Sequence, residues 1–313
     1  ENMSLIKEAI TNGGRFVGNL LIKTSTRGVT NNGLPYYTVV FQDISGVLEA
    51  KKWDATAEDD IILTPGKVVY VEGEVINYKG KPQMKILNLL SIPQSTIDMR
   101  EYIVSCPMSD DQLKKEVYGY IDQIANESMR ELVKTMIKDN EEKYFTYPAA
   151  MTFHHSYRGG IAYHSLSVMK LSLAIQQRYP YLLKDYLIAG SLLHDIGKIV
   201  ELSGNIGTQY TPEGKMLGHI SIGASMVASY ADKLKTDLEV RNILIHMVLS
   251  HHEKPEYGSP VYPQTAEAVV LHFADDIDSK MDILETALKD IKEGEYTVKL
   301  TPFDSRMFYK THK

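Results

Sequence analysis

Cysteine is nearly absent from this chain of 313 residues. The single thiol, Cys106, cannot form an internal disulfide, and it cannot build the cysteine-rich sites of zinc modules. We therefore expect a reducing compartment, the cytoplasm. Any metal ion would have to be held by histidine and carboxylate.

Long hydrophobic runs are missing as well. No apolar stretch approaches the roughly 18 residues that a membrane span needs, and no charged segment followed by an apolar one opens the chain. With 43% hydrophobic and 24% charged residues, the composition is typical of a globular protein without a membrane partner. The length predicts two domains.

An excess of positive charge is also lacking, since the net charge is −6. This argues against a protein that simply coats duplex DNA. The charge is uneven, however, because residues 11–95 hold nine Lys or Arg against eight Asp or Glu, which leaves −7 for the rest. The near-neutral charge of this N-terminal part, beside an acidic remainder, is a modest indication that it binds anions.

Short alternating runs rich in Val, Ile, Tyr and Thr fill residues 15–92, with turn signals at "NNG", "DISG" and "YKGK". Period two predicts about five strands, with a non-strand piece, "TAEDDIIL", between the third and the fourth. Five strands in so short a segment favour a small closed barrel, and the OB-fold over residues 11–95 is the leading candidate.

Aromatic and basic residues are interleaved along this barrel. They are Tyr36, Tyr37, Trp53 and Tyr78 with Arg27, Lys51, Lys52, Lys79 and Lys81. Aromatic faces stack bases and cations follow phosphates. We predict contacts to a single-stranded nucleic acid from Tyr36, Trp53, Lys51, Lys79 and Lys81. The alternative is a β module without a ligand, in which each aromatic belongs to the core.

The hydrophobic period changes to 3.6 after Asp110, an expected N-cap, within a linker and helical connector over 96–144. An all-α bundle is predicted over 145–292, followed by a tail, 293–313, that carries no clear pattern. The predicted helices are 111–139, 160–178, 183–198, 217–233, 237–252 and 263–291.

Nine of the ten histidines lie between residues 154 and 272. His164, His251 and Asp275 each fall on the apolar stripe of a predicted helix, His194-Asp195 ends another helix, and His219 opens a further one. A lone histidine on an apolar face is more often a core residue than a ligand. Because buried ionisable groups are costly unless compensated, five helices that share this feature indicate one or two divalent ions.

Imidazole and carboxylate without sulfur suit Mn, Fe, Co, Ni or Zn. A carboxylate beside a histidine can bridge two ions about 3.5–4 Å apart, which stabilises a phosphoryl transfer and makes hydroxide available near neutral pH. We therefore expect phosphodiester hydrolysis, with Asp195 as the bridging residue. Lys198, one turn after His194, is predicted to hold a phosphate oxygen; the alternative is a helix C-terminal cation.

These histidines and acids form a pattern that resembles the HD-domain metal-dependent phosphohydrolases over residues 145–290. It is carried by "HDIGK" and "FADDIDSK", with "GHI" and "SHHEKPEYGSP" similar to the two-metal branch. The resemblance implies one ion on His164, His194, Asp195 and Asp275, and a second on Asp195, His219 and His251. It places His252 and Glu253 at the substrate or at an extra metal.

The order of barrel, connector, "HHSYRGGIAYHS" and "LLHDIGK" resembles the YhaM family of bacterial 3′-to-5′ exoribonucleases over nearly the whole chain. This implies a Mn-dependent hydrolase that degrades single-stranded RNA, and also single-stranded DNA, and a homo-oligomer. Arg158 is predicted as a catalytic phosphate contact, while His154 and His155 have no assigned role.

Three alternatives stay open. One is an HD phosphohydrolase of small or cyclic nucleotides, and another is an iron oxygenase on the same helices. The third is a non-catalytic single-strand-binding protein with a structural metal site. The sequence leaves open the physiological metal and whether RNA or DNA is the main substrate.

Overall fold

The computed structural model describes residues 5–151, 156–289 and 291–312. The chain divides into two compact units, Glu1–Ser105 and Cys106–Lys313. Within the described ranges, no helix combines the length and the apolar character that crossing a membrane requires. The domain boundaries predicted after residues 95, 144 and 292 stay predictions.

Five strands form a closed barrel in the described part of the first unit. They are β1 (Gly14–Val29), β2 (Pro35–Asp43), β3 (Gly46–Trp53), β4 (Val68–Tyr78) and β5 (Lys81–Ser91). Their order around the barrel is β1-β2-β3-β5-β4, and β1 pairs with β4 to close it. Only the β3–β5 pair is parallel. This is the OB-fold arrangement, so the predicted barrel is confirmed.

Alternate residues of the strands fill the barrel interior, as period two requires. The buried set includes Phe16, Leu20, Val39, Phe41, Val71 and Met84. Two short helices accompany the barrel, α1 (Ile6–Asn12) and α2 (Ala57–Ile62). The second lies in the predicted non-strand piece, where Thr56 and Asp59 form a capping box that starts it.

Nine α-helices build the second unit, counted over its described residues. They are α3 (Asp110–Ile121), α4 (Glu127–Asp139), α5 (Glu141–Thr146), α6 (Gly160–Arg178), α7 (Lys184–Leu193), α8 (Lys198–Glu201), α9 (Pro212–Leu234), α10 (Leu238–Ser250) and α11 (Ala266–Lys289). Every residue from Tyr186 to Leu193 of α7 is buried. A helix that is covered on all sides lies at the centre of its domain, so α7 delivers His194 into the interior.

Two predicted helix boundaries in the connector are wrong. The segment 111–139 forms two helices, because the Asn126 side chain accepts the Met129 N–H and caps α4. The N-cap of α3 is Ser109 rather than Asp110, since the Ser109 hydroxyl accepts the Gln112 N–H.

The predicted helix 183–198 ends early, at Leu193, and a turn carries His194 and Asp195 before α8 begins at Lys198. The predicted start at residue 217 matches an interruption inside α9, where Gly218 has φ 70° and ψ 153°. This left-handed φ favours glycine. It redirects the chain just before His219.

The C-terminal residues also have a defined structure. We use "C-terminal loop" for residues 296–309, which fold back on themselves through the bridges Tyr296–Tyr309 and Leu300–Arg306. Phe303 in this loop is buried.

Candidate metal centre

Four side chains from α6, α11 and the turn after α7 meet in the interior of the helical unit. His164 Nε2 lies 3.0 Å from Asp275 Oδ1, 3.3 Å from His194 Nε2 and 3.6 Å from Asp195 Oδ2. His194 Nε2 lies 3.5 Å from Asp195 Oδ2 and 3.8 Å from Asp275 Oδ1. Ligand atoms about 2.0–2.2 Å from one ion lie about 3–4 Å from each other, depending on the angle between them at the ion. These separations fit a single divalent cation.

A second group of nitrogens faces the other oxygen of the same carboxylate. Asp195 Oδ1 lies 3.5 Å from His219 Nε2 and 3.7 Å from His251 Nε2. Ligand atoms of His219, His251 and His252 all lie within 4.8 Å of one another. The two oxygens of Asp195 therefore face two different sets of imidazoles, which is the geometry of a bridging carboxylate.

Three atoms of this second group are buried and lack a hydrogen-bond partner in the part of the chain that the structure describes. They are Asp195 Oδ1, His219 Nε2 and His251 Nε2. A buried polar atom without a partner costs about 1–3 kcal/mol. Because all three converge on one point, a cation there would satisfy them together. The donor set thus fits two divalent ions.

The second nitrogen of each imidazole is occupied, which fixes the direction of the first. Nδ1 of His164 donates to Asp278 at 2.7 Å, and Nδ1 of His219 to Glu201 at 3.2 Å. Nδ1 of each remaining ring donates to a backbone carbonyl oxygen: His194 to Ser191, His251 to Val248 and His252 to Tyr257. An Nδ1–H that donates leaves Nε2 as a free lone pair for an ion.

Asp278 and Glu201 were missed from the sequence. Asp278 accepts from His164 and also from the Ser167 hydroxyl. Glu201 accepts both the backbone N–H of His219, at 3.0 Å, and its ring nitrogen. The spacing of Asp278, three residues after Asp275, was a usable signal because it puts both carboxylates on one face of α11. Glu201 had no comparable signal.

The charges at the site suit metal binding. Burial would raise the pKa of Asp195, but Lys198 and the imidazoles outweigh it and hold that pKa well below its usual range. Burial lowers the pKa of His194 and of His251, which keeps both rings neutral. Burial would also lower the pKa of His164, yet Asp275 and Asp278 raise it to about 10. A bound ion would therefore replace a proton on His164.

Lys198 lies inside the centre, with Nζ 2.7 Å from Asp195 Oδ2. It also lines a cavity of about 590 Å³ that opens beside the ligands, together with His251, His252, Glu253 and Asp275. The structure thus brings Lys198, His252 and Glu253 to the same cavity as the metal ligands.

Arg158 makes a different contact from the one predicted. Its guanidinium forms a two-pronged ion pair with Asp110, at 2.7 Å for each hydrogen bond. Its role as a phosphate contact stays a prediction. His154 and His155 lie outside the described residues.

The predicted barrel contacts fall into two places. Tyr36 and Trp53 are cross-strand partners with ring centroids 5.1 Å apart, and Lys51 Nζ lies 5.3 Å from the Tyr36 ring centre. Trp53 is 43% exposed. Lys79 and Lys81 lie instead at the turn between β4 and β5, where Lys79 Nζ is 5.3 Å from the Tyr78 ring centre.

Comparisons with known proteins agree with this architecture. The HD domain family model matches residues 161–280. That match implies a divalent-metal-dependent enzyme, and the histidine and aspartate cluster lies within it. The fold and the site thus define an HD-domain protein with an N-terminal OB-fold barrel.

Two relatives are similar over almost the full length. The 3′-5′ exoribonuclease YhaM of Oceanobacillus iheyensis is 44% identical over 96% of this chain and 95% of its own length. The 3′-5′ exoribonuclease YhaM of Bacillus subtilis is 40% identical over 93% of both chains. The chain belongs to the YhaM family of 3′-5′ exoribonucleases.

One solved structure matches a part of the chain. The second OB-fold domain of replication protein A from Methanococcus maripaludis is 17% identical, covers 30% of this chain and 98% of its own, and has a TM-score of 0.23. At that score the strand order, rather than the likeness, identifies the barrel.

Proposed function

We infer that this chain is a metal-dependent 3′-to-5′ exoribonuclease that releases nucleoside 5′-monophosphates from single-stranded RNA. The observation that carries the proposal is the position of Asp195, whose two carboxylate oxygens face two sets of imidazole nitrogens. Membership of the YhaM family supports the substrate and the direction.

Two ions are proposed, with Asp195 shared between them. The first would be held by His164, His194, Asp195 and Asp275, and the second by Asp195, His219, His251 and His252. Mn²⁺ is the proposed metal because mixed imidazole and carboxylate ligands without thiolate suit it. Bound ions would supply a hydroxide nucleophile near neutral pH and neutralise charge on the scissile phosphate.

We propose two roles for the ammonium group of Lys198: it orients Asp195, and it binds a phosphate oxygen of the substrate. Its bond to Asp195 Oδ2 keeps this carboxylate ionised and oriented. From the same position it lines the cavity, so its positive charge favours a phosphate oxygen placed there. Neither role needs contact with a base, so we expect little sequence preference.

The barrel is proposed to hold the single strand through stacking on Trp53 and Tyr36 and through the positive charge of Lys51, with Lys79 and Lys81 as further phosphate contacts. Base stacking is tolerant of sugar type, so we propose single-stranded DNA as a second substrate. A homo-oligomer is proposed from the family resemblance.

A degradation assay tests this function. Single-stranded RNA labelled at its 5′ end is incubated with Mn²⁺ and either the intact chain, Asp195→Ala or Asp232→Ala. Asp232 serves as the matched control because it is an exposed carboxylate that pairs with Arg241 and is not among the proposed ligands. We expect a ladder that shortens from the 3′ end with the intact chain and the control, and none with Asp195→Ala.

Parallel measurements on the same variants separate the alternatives. RNA that stays intact while a cyclic or small nucleotide is hydrolysed would favour the small-substrate phosphohydrolase. Oxygen consumption without ester cleavage would indicate an oxygenase. Binding without turnover of any ester would indicate a binding protein, and each of these results would overturn the proposed activity.

A further inference from the structure

The C-terminal loop forms one wall of the cavity beside the metal centre. Pro302, Asp304 and Arg306 line this cavity together with Lys198 and Asp275. The HD-domain match ends at residue 280. The residues of this wall therefore lie outside the part of the chain that the HD-domain model matches.

The loop is held in one conformation by its own contacts. The Thr297 N–H donates to the Phe308 carbonyl oxygen at 2.9 Å, and the Phe308 N–H donates to the Thr297 hydroxyl oxygen at 3.0 Å. The Phe303 and Phe308 rings pack edge to face with centroids 4.7 Å apart, and Phe303 is buried. These contacts restrict the backbone of the loop, and so they also restrict the position of a side chain that lines the cavity.

Arg306 is the side chain that the loop positions in this way. Its guanidinium carbon lies 5.8 Å from the Phe303 ring centre and 5.9 Å from the Phe308 ring centre. Its Nε donates to the Phe303 carbonyl at 2.9 Å. Two aromatic contacts and one hydrogen bond fix the plane of the guanidinium, so little freedom remains to be lost when its terminal nitrogens bind a ligand.

Two of the other cations around the cavity are already paired. Lys198 pairs with Asp195 and Lys280 with Asp276, each at 2.7 Å. Within the described ranges, Arg306 forms no ion pair, although Asp304 lines the same cavity. Lys254 also lines it without an ion pair among those residues, but its ammonium group has no aromatic contact in the described part of the chain like the two that restrict Arg306.

We propose that Arg306 binds the backbone phosphate next to the scissile one, so that the C-terminal loop holds the end of the strand at the metal centre. A planar guanidinium matches a phosphate with two parallel hydrogen bonds. The proposal rests on the proposed exonuclease function. It assigns to the C-terminal loop a part in substrate binding rather than in metal binding or chemistry.

Substrates with one and with two phosphodiesters test this assignment. Initial rates are measured for a diribonucleotide, which has only the scissile phosphate, and for a triribonucleotide, which adds its neighbour. The proteins are the intact chain, Arg306→Ala, Arg306→Lys and Arg178→Ala. Arg178 is the matched control because its guanidinium carbon also lies 5.8 Å from an aromatic ring centre, that of Tyr179, while it does not line the cavity.

For Arg306→Ala we expect KM for the triribonucleotide to rise about ten- to hundredfold, the loss expected when the charge-assisted hydrogen bonds to one phosphate are removed, with kcat nearly unchanged. KM for the diribonucleotide should not change, and Arg306→Lys should recover part of the loss. The slope of log KM against log salt concentration for the triribonucleotide should decrease by about 0.7, the amount expected for one phosphate contact on a single strand.

Two results would overturn the assignment. One is an unchanged triribonucleotide KM and salt slope in Arg306→Ala, and the other is an equal loss on both substrates or a loss of bound Mn²⁺. If the intact chain does not cleave the diribonucleotide, the assignment is judged by the salt dependence of KM for the triribonucleotide. Failure of the intact chain to cleave either substrate would instead contradict the proposed function, so the two failures are distinguishable.

Discussion

Gly197 and His219 are in direct backbone contact. A Cβ atom added to Gly197 would lie 2.0 Å from the His219 carbonyl oxygen and 2.7 Å from the Gly223 nitrogen. This close approach joins the turn that carries Asp195 to the segment of α9 that begins after Gly218. It explains how residues from separate segments place Asp195 Oδ1 within 3.5 Å of His219 Nε2.

Gly197→Ala should therefore weaken both the fold and the second metal site. The added methyl would press on backbone atoms that cannot rotate away, and we expect a loss of about 1–3 kcal/mol in the free energy of unfolding. The measurement is urea denaturation, together with a titration of Mn²⁺ binding. Gly119→Ala is the control, because a Cβ at this exposed position of α3 meets nothing within 4 Å. An unchanged stability for Gly197→Ala would show that α9 can move at little cost.

His219→Ala should remove one ion and leave the other. The first ligand set does not include His219, whereas the second loses one of its three imidazoles. We expect the Mn²⁺ stoichiometry, measured by calorimetry, to fall from two to one. His312→Ala, a change at a largely exposed histidine in the tail, should retain two. A stoichiometry of two in His219→Ala would contradict the ligand assignment.

Arg158 and Asp110 should behave as one structural unit if their ion pair is the main role of Arg158. Arg158→Ala and Asp110→Ala are then expected to lower the free energy of unfolding by similar amounts, about 1–3 kcal/mol, and the double variant by little more. Nuclease assays at a temperature where all variants are folded complete the test. Activity lost in Arg158→Ala but kept in Asp110→Ala would support the predicted phosphate contact instead.

Trp53 provides its own readout of strand binding because it is the only tryptophan of the chain. We expect single-stranded RNA to quench its fluorescence as a base stacks on the ring. Removing such a stack costs about 1–3 kcal/mol, so Trp53→Ala, measured by the anisotropy of a dye-labelled RNA because it lacks tryptophan, should raise Kd about 5- to 150-fold. Tyr181→Ala is the control, since Tyr181 is a 72% exposed aromatic outside the barrel. RNA binding without any quenching would argue against Trp53 as a stacking platform.

The sequence by itself determined the division into a period-two barrel and a period-3.6 helical unit, because alternation of apolar residues is a local property. It also singled out His164, His194, Asp195, His219, His251 and Asp275, since ionisable groups on apolar stripes stand out against their neighbours. The helix ends were less accurate, as at Leu193, because turns depend on capping and on contacts between segments.

Only the tertiary structure decided which atoms of those residues meet. The roles of Glu201 and Asp278 as Nδ1 acceptors, the pairing of Arg158 with Asp110, and the position of Arg306 at the cavity all join residues that are distant along the chain. Local periodicity places a side chain on a face of its own helix. It contains no information on the side chain that a different helix or loop brings opposite.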